Sequence, residues 1–272
     1  MRRFVVIFIA VLCSLGVNAQ TVYYDAYAFK LLGKISDSTE TRYERLPQYL
    51  KNKTRKPVWT LGKNTAGLAL RFRTNSTSIS ARWGVLENIN MNHMALVGIK
   101  GVDLYCLNET GKWTFVNSGK PQGKENESQI ISNMTPEERE YMLYLPLYDG
   151  ITHIEIGIDS IAQIKKPLSE SPSDGLPIIY YGTSITQGGC ASRPGMAHTN
   201  ILSRWLNKEI INLGFSGNGQ LDYEIAELMG NHQAAAYIID CMPNVNSTQV
   251  NEKLETFYHK LRMQHQIGRA HV

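Results

Sequence analysis

The most informative stretch of this chain is Leu176-Pro-Ile-Ile-Tyr-Tyr-Gly-Thr-Ser184-Ile-Thr-Gln-Gly-Gly-Cys190, an apolar run that stops at Gly182 and is soon followed by Ser184. Short apolar runs closed by glycine are typical of parallel strands that are buried on both faces. In open α/β sheets the reacting groups lie just beyond the carboxyl ends of such strands. We therefore predict a buried strand that ends just before Ser184 and presents this serine as a nucleophile.

Two more apolar runs end in polar blocks, Asn212-Leu-Gly-Phe-Ser-Gly217 and Asp240-Cys-Met-Pro-Asn244. Together with Gly182-Thr-Ser184-Ile-Thr, these blocks resemble, in order and rough spacing, the first three blocks of the SGNH (GDSL-type) hydrolases. Thr183 stands where the commoner family pattern has Asp. One block alone is a weak signal, but the ordered set of three is specific.

The resemblance implies roles for three residues. Ser184 is the implied nucleophile, and its attack on an ester creates a tetrahedral oxyanion that needs hydrogen-bond donors. The implied donors are the backbone N–H groups of Ser184 and Gly217 and the side-chain amide of Asn244. A glycine at position 217 would let the backbone approach the substrate closely. As alternatives, Gly217 is an ordinary turn glycine, Asn244 is a turn or capping residue, or Ser216 is the nucleophile.

The N-terminus has the pattern of a secretory signal peptide. Met1-Arg-Arg supplies the positive charge, residues 4–17 are apolar, and Val17-Asn-Ala19 is a small-residue cleavage site. The mature protein is therefore predicted to begin at Gln20 and to be secreted or periplasmic, with a signal of bacterial type. Cys13 would allow lipoprotein anchoring, but no small residue directly precedes it. No other stretch is long and apolar enough to span a bilayer.

Residues 20–161 are predicted to form an antiparallel β-sandwich of jelly-roll type. Apolar residues alternate with polar or small ones over residues 68–73 and 77–83, as expected for strands with one solvated face. Turn signals at Asn108-Glu-Thr-Gly111 and Asp149-Gly150 separate further strands.

The stretch Gly101-Val-Asp-Leu-Tyr105 adds a second resemblance. It is similar to the small β-domain, named for its GxDLY motif, that precedes the hydrolase domain in one branch of exported SGNH proteins. Asp103 is predicted to be a structural carboxylate at a strand edge, with a functional role as the alternative.

Residues 162–175 contain two prolines and three serines without helical or strand periodicity, and are predicted to be a linker. From residue 176 onwards, predicted strands alternate with predicted helices, which indicates a parallel sheet with right-handed crossovers. This pattern is the start of a three-layer, flavodoxin-like α/β domain, which is also the fold that the resemblance implies. The predicted strands are 178–181, 210–213 and 236–240, and the apolar helix faces are Ile201, Leu202, Trp205 and Leu206, then Leu221, Ile225, Leu228 and Met229, then Val250, Leu254, Phe257 and Leu261.

The hydrolase domain, residues 176–272, is predicted to be truncated. The family takes its general base and orienting carboxylate from a final Asp-x-x-His block, and no such block follows Asn244. The chain as given is therefore expected to be nearly inactive. The histidines of this domain are predicted to be surface or helix-face residues, because none follows an acid at the expected spacing; they are His198, His232, His259, His265 and His271.

Charge and cysteines restrict the partners. With 28 basic and 24 acidic residues the formal net charge is +4, which argues against a nucleic-acid partner.

Cys190 and Cys241 are predicted at the same rim of the sheet, where an exported protein could form a disulfide, and Cys106 would remain a buried thiol. The sequence lacks closely paired metal ligands, so we predict no zinc site and no cofactor.

The residues and the resemblance together predict an exported two-domain serine hydrolase of SGNH type. The expected substrate is an O-acyl group, such as acetyl, on a small or polymeric carbohydrate, and this expectation rests on the resemblance and on export. The second hypothesis is a non-catalytic carbohydrate-binding protein with an inactive hydrolase remnant. The missing Asp and His favour the second hypothesis for this chain, whereas the three intact blocks favour the first.

Overall fold

The computed structural model describes residues 20–169 and 171–263. The predicted signal peptide and the tail that carries His265 and His271 lie outside the described residues. The strands are β1 (Thr21–Asp25), β2 (Lys30–Leu32), β3 (Ala69–Thr74), β4 (Ile79–Val85), β5 (Val102–Leu107), β6 (Trp113–Gly119), β7 (Glu125–Ile131), β8 (Arg139–Tyr144), β9 (Ile151–Asp159), β10 (Ile164–Lys165), β11 (Ser173–Gly182), β12 (Lys208–Gly214) and β13 (Ala236–Asp240). The α-helices are α1 (Lys56–Gly62), α2 (Leu96–Lys100), α3 (Ser184–Gln187), α4 (His198–Leu206), α5 (Tyr223–Gly230) and α6 (Ser247–Arg262). Over this part of the chain, no helix has the length and apolar character needed to cross a membrane.

Two antiparallel sheets form most of the N-terminal region. The first sheet has the strand order β1-β9-β4-β7, and the second has the order β10-β3-β8-β5-β6, with β2 also paired to β3. One apolar core lies between them and contains Leu70 and Phe72 from the second sheet and Trp83 and Ile156 from the first. The prediction of a mostly β N-terminal region is therefore confirmed, while its jelly-roll connectivity stays a prediction.

The outer face of the second sheet is covered, so the predicted solvated face is wrong for β3. Ala69 and Arg71 are each 1% exposed. Ala69 belongs to a second apolar cluster on this face. The guanidinium of Arg71 pairs with Glu140 at 2.6 Å and lies over the ring of Trp113. A long cationic side chain can be buried when its charge is paired in this way, and the alternation of the sequence does not show that pairing.

The two predicted turns connect strands differently. Asn108–Gly111 joins β5 to β6 in a hairpin, and Asn108 Oδ1 accepts two backbone N–H groups of that turn. Asp149-Gly150 instead carries the chain from β8 in the second sheet to β9 in the first. The buried carboxylate of Asp149 accepts the N–H groups of Glu87 and Ile89, which fixes this turn to the neighbouring loop.

The C-terminal region is built on a parallel sheet. Its order within the described residues is β12-β11-β13, the order in which flavodoxin-like sheets begin. Neighbouring residues of a strand point to opposite faces, and here Tyr180 contacts His198 of α4 whereas Tyr181 contacts Phe257 of α6. Helices therefore cover both faces, and the prediction of an α/β region with a parallel sheet is confirmed.

Helix α4 turns a different face to the protein from the predicted one. Trp205 and Leu206 are 79% and 55% exposed, whereas Asn200 and Ser203 are buried. Each of the two buried side chains donates a hydrogen bond to a backbone carbonyl oxygen, at 2.9 and 2.6 Å. Small polar side chains can be buried when they are bonded in this way, so the apolar period indicated the wrong face.

A segment between β2 and β3 belongs to the core of the α/β region. Val58 and Trp59 of α1 pack in one cluster with Tyr181 and Phe215. The two regions therefore share apolar contacts, and the predicted domain boundaries stay a prediction. The predicted linker, residues 162–175, contains the short strand β10, which pairs with β3.

Candidate active site

The three parallel strands end at the same level. Gly182 of β11 is paired in register with Gly214 of β12 and with Asp240 of β13. The loops that follow these residues therefore meet at one edge of the sheet. They carry Ser184, Gly217 and Asn244, respectively, so the structure places all three predicted site residues at this edge.

Ser184 is the first residue of α3 and is half-buried. The preceding Thr183 caps this helix, because its Oγ1 accepts the N–H of Ile185 at 3.3 Å. Threonine and aspartate are both good capping residues, which explains how threonine can stand where the commoner family pattern has Asp. Ser184 Oγ forms no hydrogen bond with any described residue, and the hydroxyl is therefore available for reaction.

Gly217 is exposed and lies in a turn, residues 215–219, which we call the glycine loop. Its φ of +68° is in the left-handed region that favours glycine. No other protein atom lies within 4 Å of the position that a Cβ would take. Conformation, rather than crowding by the protein, therefore explains this glycine. Its N–H donates to no described residue.

Asn244 ends a short 3₁₀ turn after β13, and its Oδ1 accepts the N–H of Gly219 at 3.2 Å. Because a backbone N–H can only donate, this contact fixes the oxygen towards the glycine loop and leaves Nδ2 as a donor on the other side. Nδ2 has no partner among the described residues. Gly219 also lies against the end of β11, since a Cβ there would be 2.4 Å from the carbonyl oxygen of Gly182.

Gln187, which the sequence argument missed, connects α3 to the glycine loop. It is fully buried, and its Oε1 accepts the N–H of Ser216 at 2.9 Å. Its Nε2 donates to Asn64 Oδ1 and to the carbonyl oxygen of Leu147, both at 3.1 Å. These bonds fix the glycine loop relative to the serine-bearing helix and the N-terminal region. A glutamine three positions after the predicted nucleophile, at the end of α3, was the available signal.

Tyr148 reaches the site from the N-terminal region. Its hydroxyl lies 3.3 Å from the carbonyl oxygen of Ser184 and 3.4 Å from Ser216 Oγ. Burial raises the pKa of Tyr148, so the hydroxyl remains a donor at neutral pH. No sequence pattern indicated Tyr148, because the contact joins parts of the chain that are distant in sequence.

Arg45 is the third missed residue, and it is 1% exposed. Burial lowers its pKa to about 9, so the guanidinium is still charged at neutral pH. It lies over the ring of Phe215, at 5.2 Å from the ring centre. Arg45 therefore holds the end of β12, where the glycine loop begins. Its guanidinium donates at 2.7–3.0 Å to four backbone carbonyl oxygens, those of Leu61, Asn64, Asn212 and Gly214.

Arg55 fixes the other end of the glycine loop. It forms a two-point ion pair with Asp222, at 2.5 and 2.9 Å. It also donates to the side-chain and backbone oxygens of Asn218, at 3.0 and 2.9 Å. The glycine loop is therefore held by two arginines from the N-terminal region.

None of the described histidines is hydrogen-bonded to Ser184. The ring of His198 packs edge-on against Tyr180, and burial lowers the pKa of this imidazole, although the charge of Asp240 opposes the shift. His232 Nδ1 lies 2.7 Å from a backbone carbonyl oxygen, and His259 is exposed on α6.

The predicted disulfide between Cys190 and Cys241 is wrong, because the described cysteines are free. Cys241 is 4% exposed within the α/β core, whereas Cys190 is exposed, with a φ of +62°. The two loops share an edge of the sheet, but their thiols lie in different surroundings. Cys106 is half-buried rather than buried, and burial raises the pKa of its thiol. In the described ranges, no three His, Cys, Asp or Glu side chains are grouped as metal ligands would be.

Asp103 has the structural role that the sequence predicted, and it is completely buried. Its Oδ2 accepts hydrogen bonds from Arg193 Nη1 at 2.7 Å and from the N–H of Gly195 at 2.9 Å. Its Oδ1 accepts the hydroxyl of Ser118 at 2.5 Å. Asp103 therefore ties β5 to the loop between α3 and α4.

Two family models match this chain. Residues 21–164 match the GxDLY family, described as the N-terminus of SGNH hydrolase-type esterases. Residues 176–267 match the GDSL-like lipase/acylhydrolase family. Comparison with curated proteins gives no match.

Solved structures give further similarities. A protein from Bacteroides ovatus ATCC 8483 that is assigned to the GDSL-like lipases is 38% identical, with 90% of this chain and 72% of that chain covered and a TM-score of 0.86. The salicylyl-acyltransferase SsfX3 from a tetracycline biosynthetic pathway is 17% identical, covers 90% and 70%, and has a TM-score of 0.66. A family two carbohydrate esterase from Clostridium thermocellum is 10% identical, covers 73% and 68%, and has a TM-score of 0.52. The last two share the fold.

Proposed function

Because the chain belongs to the GDSL-like lipase/acylhydrolase family, with the GxDLY-type N-terminal domain of SGNH esterases, we propose that it is a serine ester hydrolase with Ser184 as its nucleophile. The observation that carries the proposal is the meeting of Ser184, Gly217 and Asn244 at one edge of the parallel sheet. The serine hydroxyl, the Gly217 N–H and Asn244 Nδ2 have no partner among the described residues. Donors that are positioned but unpaired are what a developing oxyanion requires.

In the proposed reaction, Ser184 Oγ attacks the carbonyl carbon of the ester. The carbonyl oxygen gains the negative charge, which the N–H groups of Ser184 and Gly217 and the Asn244 amide stabilise. The alcohol leaves, the acyl group stays on Ser184, and water then releases the acid. Both steps need a general base that takes a proton and returns it to the leaving group. By family resemblance, an Asp-x-x-His block supplies this base.

The proposed substrate is an O-acylated carbohydrate outside the cytoplasm. Export is inferred from the signal pattern of residues 1–19, and lipoprotein anchoring at Cys13 is the less favoured form. The carbohydrate is inferred from the family resemblance, and the shared fold with a carbohydrate esterase is compatible with it. The nearly balanced charge supports a small-molecule or polysaccharide partner over a nucleic acid.

A non-catalytic carbohydrate-binding protein is the second candidate. One observation favours it: no described histidine is hydrogen-bonded to Ser184. In this case the N-terminal region would bind the carbohydrate, and Ser184 would take part in no reaction.

We expect the 272-residue chain to hydrolyse p-nitrophenyl acetate at close to the uncatalysed rate. Because no described histidine is hydrogen-bonded to Ser184, we expect the serine hydroxyl to stay protonated and weakly nucleophilic. The same chain, extended by a segment of the family that carries the Asp-x-x-His block, is expected to hydrolyse the ester in a Ser184-dependent way. Release of nitrophenolate measures the rate. Ser184-dependent turnover by the 272-residue chain would show that one of its own histidines is the base. No turnover by either chain, with saturable carbohydrate binding, would favour the second candidate.

Asn244→Asp tests the oxyanion role separately from the structural role. Aspartate keeps an oxygen for the N–H of Gly219 but lacks the Nδ2 donor. In the chain with the added block, the kcat is expected to fall by roughly 10²–10³-fold. The melting temperature is expected to stay that of the control Asn251→Asp, which makes the same change at an exposed position of α6. Full activity of Asn244→Asp would remove Asn244 from the oxyanion site.

A further inference from the structure

A groove lies beside the proposed nucleophile, between α1 and the loop after β4. Its volume is about 460 Å³. Pro57 and Leu61 of α1 form one wall, and Ile89 and Met91 form the other. Met91 also packs on a buried cluster of the N-terminal region, so this wall is supported from behind. The walls of the groove are therefore mainly apolar.

The groove ends at the candidate active site. Tyr148, Ser216 and Asn218 line it, and the last two flank Gly217 in the glycine loop. The hydroxyl of Tyr148 lies 3.3 Å from the carbonyl oxygen of Ser184. A molecule in the groove would therefore extend from the point at which Ser184 meets an ester.

Several polar groups that line the groove are used by the protein, whereas Lys56 and Thr60 are exposed lining residues of α1. The side-chain oxygen of Asn218 accepts from Arg55, and its Nδ2 donates to the carbonyl oxygen of Ser216 at 2.9 Å. Asn64 Oδ1 accepts from Gln187. A sugar ring presents many hydroxyl groups that need partners, and inside the groove, away from the exposed Lys56 and Thr60, the side-chain amides of Asn64 and Asn218 already have protein partners. These contacts favour an apolar occupant over a sugar.

The geometry points to a substrate class: we propose that the groove binds an apolar group larger than acetyl that is part of the ester substrate. The volume lies within the usual range for small-molecule sites, about 300–1,000 Å³. An acetyl group would leave most of it empty. The inference rests on the proposed function, because the groove matters through its position beside Ser184. In the acylated carbohydrate proposed above, this group is the acyl chain, whereas an apolar group on the alcohol side would take the place of the carbohydrate and is distinguished by the test.

Unreactive amides test the two sides of the ester. N-methylhexanamide carries the apolar chain on the acyl side, N-hexylacetamide carries it on the alcohol side, and N-methylacetamide has no such chain. Each is titrated into the full chain with Ser184→Ala, and NMR spectra give the Kd. At least one hexyl or hexanoyl probe is expected to bind at least tenfold more tightly than N-methylacetamide, since each buried methylene adds about fourfold. The tighter hexyl or hexanoyl probe identifies the side, and equal binding of all three amides would overturn the proposal.

Substitutions in the groove locate the binding. Met91→Glu places a charge on the apolar wall, and the favoured probe is expected to bind at least tenfold more weakly. Met263→Glu is the matched control, because Met263 is 81% exposed at the end of α6. Thr60→Trp fills the groove from the exposed side of α1 and is also expected to weaken probe binding. It provides the test if Met91→Glu does not fold. Unchanged binding of the favoured probe by a folded groove variant would overturn the proposal. It would also be overturned if methyl glucoside bound more tightly than both N-methylhexanamide and N-hexylacetamide.

The outcome is separable from that of the proposed function. All binding measurements use Ser184→Ala, so they do not depend on catalysis. Loss of probe binding in Met91→Glu together with Ser184-independent hydrolysis would refute the nucleophile and retain the groove. Ser184-dependent hydrolysis with no preference for the longer probes would retain the enzyme and refute the groove.

Discussion

Ser184→Ala is expected to lower the kcat for p-nitrophenyl acetate by roughly 10⁴–10⁶-fold in a chain that also carries the Asp-x-x-His block. The loss is large because the serine oxygen forms the covalent bond and the methyl group of alanine cannot. The oxyanion donors remain in the variant, so a small activity above the uncatalysed rate should persist. Initial rates over a range of substrate concentrations would separate the fall in kcat from a change in KM.

Ser216 and Ser192 provide the controls for this result. Ser216 is the competing nucleophile, because its Oγ is 3.4 Å from the same Tyr148 hydroxyl that contacts Ser184. We expect Ser216→Ala to keep most of the activity, and the exposed Ser192→Ala to keep all of it. A loss in Ser216→Ala as large as that in Ser184→Ala would leave the nucleophile undecided, and full activity of Ser184→Ala would refute the assignment.

The predictable part of the site was local in sequence. Ser184, Gly217 and Asn244 each lie within four residues of the end of a strand, and parallel strands end at a common edge. Their approach could therefore be predicted from strand order alone. The glycine at position 217 could also be predicted, although the structure explains it by a φ of +68°.

The supports of the site were not predictable, because they join distant parts of the chain. Arg45 bonds to Asn212 and Gly214, and Tyr148 contacts Ser184 across the boundary between the two regions. No short motif records such pairs. The predictions of the buried face of α4 and of the Cys190–Cys241 disulfide failed for a similar reason. The position of a side chain relative to another element depends on packing.

Arg45→Met is expected to lower the free energy of unfolding by about 3–5 kcal/mol. Methionine fills much of the same volume but donates nothing, so the carbonyl oxygens of Asn64, Asn212 and Gly214 would each lose a buried hydrogen bond. The part-buried carbonyl oxygen of Leu61 would lose one donor and keep the N–H of Asn64. Removal of the buried charge offsets part of the loss, because that charge is costly to desolvate. The lost hydrogen bonds outweigh this gain, since no water reaches a side chain that is 1% exposed. For a chain of this size the melting temperature should fall by roughly 6–20 °C.

Arg82→Met is the matched control for this experiment. Arg82 pairs with Glu127 at 3.0 Å on the surface, and such exposed pairs contribute little to stability because water screens the charges. Arg45→Lys adds a second comparison, because it keeps a charge but cannot supply donors in the planar arrangement of the guanidinium. We expect Arg45→Lys to be destabilised almost as much as Arg45→Met, which would show that the hydrogen bonds, and not the charge, hold the end of β12. Equal melting temperatures of Arg45→Met and Arg82→Met would contradict this account and would leave the glycine loop to be positioned by Gln187 and Arg55.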